Sequence, residues 1–468
     1  LSGPFLSFWR ISVTTRLSLL AAILIAVALP WCTGRTTSSA DAVAQEFLAP
    51  RPAPLGAHFV GAGSCSASAC HNANFAHGQV GSEFTLWATR DPHAKAYEAL
   101  FDARSLRIQK NLGRTAKAHE DRRCLQCHVA PEFDEQVEKQ VPYFRTDGVS
   151  CESCHGPAGK WLTTHYAEAW QAKTPAQKQS LGMKDTQSIV GRAQLCATCH
   201  VGTPGMDVDH DLIAAGHPRL TFEFTAFHAG MPRHWPDAKD RDPAKSVRGR
   251  TDFEYRAWLA GQLVTAHASL ELLADRAGDV KKPWPEFAEH DCAACHYDLQ
   301  ASSKRPLRPG KRGAVPWSGW SLAMTPRALQ AVGSSGEALG DLRKELDRGW
   351  SDRQAIAQKA RRASDTIKPL LERIDKAEEP AHVLHEILVH DNRRAQRSWE
   401  DTAQVALALA AMRKAEIDRM TPLPGSYSLA IQELSRRLPF PSNYDKRDSF
   451  DPLAVRTRLI EFKKQEGR

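Results

Sequence analysis

The chain has 468 residues, 42% of them apolar and 25% charged, the composition of an ordinary globular protein long enough for two or three domains. Its formal net charge of +8 comes from 62 basic residues scattered among 54 acidic ones, which argues against a dedicated nucleic-acid binder. The unusual features are 19 histidines and 11 cysteines, ten of the cysteines lying between Cys65 and Cys295.

In chain order, Arg10 and Arg16 precede the apolar run LSLLAAILIAVALPW, Leu17 to Trp31, which reads as a signal peptide or a single membrane anchor. The run is short of the roughly 20 residues of a comfortable transmembrane span. Small residues in SSADAVA, Ser38 to Ala44, suit a signal peptidase, so cleavage is the favoured reading of segment 1–45. Cys32, after Leu-Pro-Trp, is assigned to this segment.

Next comes GSCSASACHN, with Cys65 and Cys70 separated by four residues and followed at once by His71. The tighter pattern Cys-x-x-Cys-His then occurs four times, as CLQCH (Cys124, Cys127, His128), CESCH (Cys151, Cys154, His155), CATCH (Cys196, Cys199, His200) and CAACH (Cys292, Cys295, His296). Two thiols followed directly by histidine is the arrangement that attaches haem c: the sulfurs add across the two vinyl groups and the imidazole becomes the first axial ligand of the iron. Zinc knuckles use Cys-x-x-Cys without requiring histidine next. A disulfide framework in an exported chain accounts for the even cysteine count but not for the histidines. Five haem c groups are therefore expected, the Cys65/Cys70/His71 site being the irregular one.

The five proximal histidines leave fourteen others, more than enough for second axial ligands. A second histidine makes a six-coordinate electron carrier, whereas an open position makes a site for a small molecule. His93 follows Asp91-Pro92 at a helix start. His165 follows Trp161 on a stretch predicted to be helical from Gly159; about 15 Å of helix rise beyond His155 points it to a neighbouring haem and not its own. His217, between Gly216 and Pro218, is held extended by the proline. His210 in DVDHDL and His119 in KAHEDRRC complete the candidate distal set. His228, His234, His267 and His290 read as groups around the haems or on the surface, able to replace one of these, and His382 and His385 as structural.

The haem region spans about 59–300, where porphyrins replace a conventional core and apolar periodicity is expected to be weak. Residues 301–320, rich in Pro, Gly and basic side chains, read as a linker. Beyond 321 the pattern is helical: Ile356, Ala363, Ile367, Leu371 and Ile374 form a stripe with Ser351 and Gln354 as a capping box, Pro369 should break that helix, and Ser398 with Asp401 starts another. The predicted fold is mainly α: a multihaem cytochrome c domain with long loops around stacked haems, plus a haem-free helical C-terminal domain over 321–468.

GVSCESCHGPAGKWLTTH, CATCHVG and DHDLIAAGHPRL resemble multihaem c-type cytochromes of the cytochrome c-554 type, periplasmic carriers related to hydroxylamine oxidoreductase. The resemblance covers about 61–300 and implies haems stacked in close pairs, mostly with two histidine ligands, and electron transfer as the activity. Some relatives contain a five-coordinate iron. The chain departs from the tetrahaem pattern in its fifth candidate site and its long haem-free C-terminal half.

Two functions are weighed. The favoured one is an exported electron carrier, periplasmic and either free or anchored to the inner membrane, serving redox partner proteins or a quinol-linked membrane oxidoreductase. The other is an oxidoreductase acting on a small nitrogen or sulfur compound at one open haem; the lack of a Cys-x-x-Cys-Lys site counts against it. Five ferric haems with their propionates add about −5, leaving the holoprotein near +3, so partner contact is expected to depend only weakly on salt.

Overall fold

The computed structural model describes residues 58–73, 80–129, 144–235, 252–292, 315–348, 352–376, 383 and 398–418. The predicted targeting segment 1–45, Cys295, His296, most of the predicted linker 301–320, Ser351, His382 and His385 lie outside the described residues. In chain order the helices are α1 Glu83–Arg90, α2 Ala103–Asn111, α3 Arg122–His128, α4 Cys151–His155, α5 Glu168–Gln171, α6 Pro175–Gln179, α7 Ile189–His200, α8 His210–Ala215, α9 Phe224–Gly230, α10 Phe253–Gly278, α11 Thr325–Ala331, α12 Glu337–Leu346, α13 Arg353–Ile367 and α14 Trp399–Asp418. Short 3-10 turns join them. The mainly α class holds: among the described residues there is no β-strand, only isolated bridges such as His290 with Trp317. No helix of the described residues is long and apolar enough to cross a membrane.

The main hydrophobic core is built around α10. This helix is buried on nearly all sides, with Tyr255, Trp258, Leu259, Leu263 and Leu270 sealed from solvent and Glu254, Arg256, Gln262 and His267 buried beside them, so it must be wrapped on all sides. It packs on α7 and α9 from the motif-bearing half and on α11, α13 and α14 from the half beyond residue 321. At Gly261 a Cβ would come within 2.6 Å of the Phe224 Cβ, so α9 lies directly against α10 there. Arg353 closes the C-terminal end of α10 by donating to the carbonyls of Arg276, Ala277 and Asp279 at 3.1, 2.9 and 2.7 Å, where a cation also suits the helix dipole. One core thus joins segments on both sides of the linker.

The later helix boundaries follow the sequence. Asp352 caps α13, its side chain accepting from the Gln354 N–H at 2.9 Å. An aspartate directly before the first helical residue satisfies the free N–H groups with a charged acceptor. α13 ends at Ile367, and the chain runs through Pro369 as a 3-10 turn, Lys368–Lys376. Ser398 caps α14 by accepting from the Asp401 N–H at 3.1 Å.

Between residues 58 and 235 the helices are short, and caps do much to define them. Asp121 caps α3, Ser150 and Ser153 form a reciprocal box at α4, and Ser188 caps α7. Glu152 in α4 is buried and holds the incoming chain: its carboxylate accepts from the N–H groups of Val60, Gly61 and Ala158, at 2.7 to 3.1 Å. Asp147 accepts from Ala62 at 3.0 Å, so the turn carrying Cys65 is docked by two carboxylates. Replacing Glu152 with alanine leaves three backbone donors without that acceptor and should lower stability by about 2–3 kcal/mol. Denaturant unfolding would measure the loss, and protease cleavage near residue 60 should accelerate with it.

Candidate haem-binding site

The three fully described Cys-x-x-Cys-His motifs share one local geometry. Each ends a helix, with His128, His155 and His200 as the last residues of α3, α4 and α7. Residues i, i+3 and i+4 lie on one helix face, so the turn presents two sulfurs and one imidazole together. The chain then leaves the helix at once, by extended Val129 or by Gly156 at φ +83°, where an L side chain would be strained. Cys65 ends its own short 3-10 turn, and Cys70 and His71 follow in a loop.

The motif histidines meet histidines from elsewhere. His71 faces His165 with ring centroids 6.0 Å apart, His200 faces His93 at 5.9 Å, and His155 faces His234 at 6.2 Å. An iron bound by two opposed imidazoles at about 2.0–2.1 Å metal–nitrogen distance needs ring centres roughly 6.3 Å apart, close to what these pairs provide. His217 lies near His128; burial first, and then that neighbour, hold its pKa below the usual value against the pull of its bond to Pro218.

Hydrogen bonds fix the orientation of the rings. Nδ1 is bonded to Glu83 Oε2 in His71 (3.1 Å), Asp91 Oδ1 in His93 (2.8 Å), the Ala96 carbonyl in His128 (2.7 Å), the Leu162 carbonyl in His165 (2.7 Å) and the Pro218 carbonyl in His217 (2.7 Å). His234 donates to the Pro232 carbonyl. Occupying Nδ1 selects the tautomer whose Nε2 lone pair is free for a metal. Burial, assisted by nearby histidines, pushes His155 and His200 down to about 4, so both are neutral bases at pH 7. Burial pushes the thiols of Cys124 and Cys196 up to about 11 and about 12.

Thiols of different motifs also touch. Cys65 and Cys151 share a hydrogen bond, which lowers the pKa of the first and raises that of the second, and Cys127 is lowered in the same way by Cys199. Cys154 is close enough to Cys196 to raise it further. The motifs are therefore ordered in space as 65–71, 151–155, 196–200 and 124–128, which is not their order in sequence.

The predicted distal histidines fall into two groups. His93 and His165 each stand against a motif histidine and His217 lies near His128; His165 is beside His71 and not beside His155, and it lies on irregular turns, not on the regular helix predicted from Gly159. His119 is instead stacked on Phe101 at 4.1 Å, and His210 packs on Phe287 at 5.6 Å. His234, given no preference by its spacing, is the residue opposite His155. Its local signal was slight: Pro232 follows the end of α9 and aims the next turn inward beside Trp235. Of the last motif only Cys292 is described, with the Arg219 guanidinium 3.3 Å from its sulfur. Nearby, a small cavity of about 90 Å³ is lined by His200, Arg219, Phe222, Glu289, Trp317 and Trp320, well below the size of a cofactor pocket.

The residues present therefore fit haem: paired thiols beside one imidazole, and a second imidazole across a gap of the required width. Residues 65–156, about a fifth of the chain, match the profile of the family described as cytochrome c554 and c-prime, a segment that contains the first three motifs. No curated protein and no solved structure gave a match. Over residues 65–156 the chain is similar to c-type cytochromes of the c554 family, and haem c is the cofactor that this likeness implies.

Proposed function

We propose that the protein is an exported electron-transfer cytochrome holding five haem c groups, at least four of them between two histidines. When bound, haem c supplies a one-electron iron couple. The observation that carries the reading is the set of histidine pairs at 5.9, 6.0 and 6.2 Å, each joining a motif histidine to one distant in sequence. The pairs His71/His165, His155/His234, His200/His93 and His128/His217 are the proposed axial ligands. Cys65/Cys70, Cys124/Cys127, Cys151/Cys154, Cys196/Cys199 and Cys292/Cys295 are the proposed attachment sites.

The protein's part is to fix distance, ligation and surroundings. Contacts between Cys65 and Cys151, and between Cys127 and Cys199, support close approach of the groups held by those motifs. Carboxylates on His71 and His93 Nδ1 make those ligands stronger donors and favour the oxidised iron, whereas carbonyl acceptors on His128, His165 and His217 do so less. Export is supported by the run Leu17–Trp31 and by the periplasmic habit of the family.

Mass spectrometry of protein matured in a cytochrome-assembling host should give five haem additions. Electron paramagnetic resonance of the oxidised protein, with spins normalised to haem, should give only low-spin or coupled low-spin iron. A colourless folded product sinks the proposal. A high-spin share of about one iron in five would move it towards small-molecule chemistry at an open site.

A further inference from the structure

The net charge of the chain hides a concentrated patch. Residues 101–123 contain seven basic side chains against three acidic ones, half of the chain's formal +8. On and beside α2, Arg104, Arg107, Lys110 and Arg122 are exposed and form no ion pair among the described residues, while Arg114 and Lys117 are partly neutralised by Asp121 and Glu120. Among these cations two apolar side chains face solvent, Phe101 at 52% and Leu106 at 59% exposure. An apolar centre with a charged rim is the anatomy of a protein-docking surface.

Its position gives it a use. α2 is pinned to α8 by Asn111 donating to the Ala215 carbonyl at 2.9 Å, and by Ile108 packed on Leu212 and Ala215. Two residues beyond Ala215 comes His217, the ring beside His128, and Arg104 is close enough to contribute to its electrostatic surroundings. Phe101 stacks on His119, three residues before the Arg122–His128 helix. The patch thus covers the 124–128 end of the spatial series of motifs.

On the electron-transfer reading above, we propose that Phe101, Leu106, Arg104, Arg107 and Lys110 form the docking face for an acidic electron-transfer protein, which exchanges electrons at the His128/His217 end. An anionic lipid surface would meet the same cations. It carries no redox centre, however, and gives no reason for the patch to lie over a ligand pair. A clustered patch also makes the contact steeper in salt than the whole-molecule charge implies, because steering acts through local potential.

The test uses holoprotein and photoreduced plant-type ferredoxin, a small acidic iron–sulfur protein, as the probe. Two variants of equal charge change are compared: Arg104→Gln/Arg107→Gln/Lys110→Gln on the patch, and Arg361→Gln/Arg362→Gln/Arg373→Gln on the exposed face of the C-terminal helices. The expected result is a patch variant slowed about tenfold or more at low ionic strength, a control within about twofold of wild type, and convergence of all three at high salt. Equal slowing of both variants, or of neither, overturns the docking face. Loss of binding to phosphatidylglycerol vesicles with an unchanged ferredoxin rate overturns it in favour of a membrane. If dithionite leaves the wild-type haem absorbance unchanged, the electron-transfer reading itself fails, and that outcome is read before the variants are compared.

Discussion

Replacing His234 with alanine is expected to move one iron per chain of the oxidised holoprotein from low spin to high spin. His234 stands 6.2 Å from His155, bonded to the Pro232 carbonyl, while His155 is a half-buried neutral base with its pKa held down to about 4. Removing the ring opens one axial position and leaves the attachment residues Cys151, Cys154 and His155 in place. With five haems the high-spin share should be about one fifth, exogenous imidazole should restore the low-spin signal, and carbon monoxide should bind the reduced variant. His228→Ala is the control: His228 lies beside Trp235 but its Nε2 meets Arg192 at 3.2 Å, so spin state should not change. A low-spin His234→Ala variant would refute the assignment, and the second ligand opposite His155 would then have to be another residue.

The second large effect is one of stability. Glu400, at the start of α14, is fully buried and accepts from Arg219 Nη1 at 2.6 Å, from Ser318 Oγ at 2.7 Å and from the Gly319 N–H at 3.0 Å. The same guanidinium reaches the Cys292 sulfur and the Ala288 carbonyl. Arg219→Leu strips a buried carboxylate of its cation and should cost about 3–5 kcal/mol, whereas Arg219→Leu/Glu400→Leu removes both charges and should recover most of it. Denaturant unfolding of the two variants decides this. A double variant no better than the single one would mean that the contact to Cys292 and Ala288 matters more than the ion pair.

The parts of this molecule that are legible in the sequence are those encoded locally. Cysteine spacing followed by histidine picks out the proposed attachment sites without reference to the fold, and Asp91-Pro92 or Ser398 with Asp401 mark helix starts because caps are short-range chemistry. α10 was hidden for a physical reason: buried on every side, it has no polar face and so no stripe to detect. Distal histidines were legible only in part. His93 and His217 sit beside prolines that fix their backbones, but what places His234 opposite His155 is the packing of α9 on α10, which brings together residues 79 apart in the chain. The clustered charge on α2 was likewise lost in a whole-chain average.

The contacts between Cys65 and Cys151, and between Cys127 and Cys199, bear on how such a chain is made. Both join different attachment motifs, across 86 and 72 residues. Thiols in contact inside an oxidising compartment are substrates for disulfide formation, and each wrong cross-link would disable two motifs at once. A polypeptide that folded first and was loaded later would run that risk at four cysteines and would also present Cys124 and Cys196 as half-buried, protonated thiols. On the proposed haem attachment, assembly is therefore expected to run in the other direction: loading while the chain is still open, with the compact arrangement closing afterwards around what has already been attached.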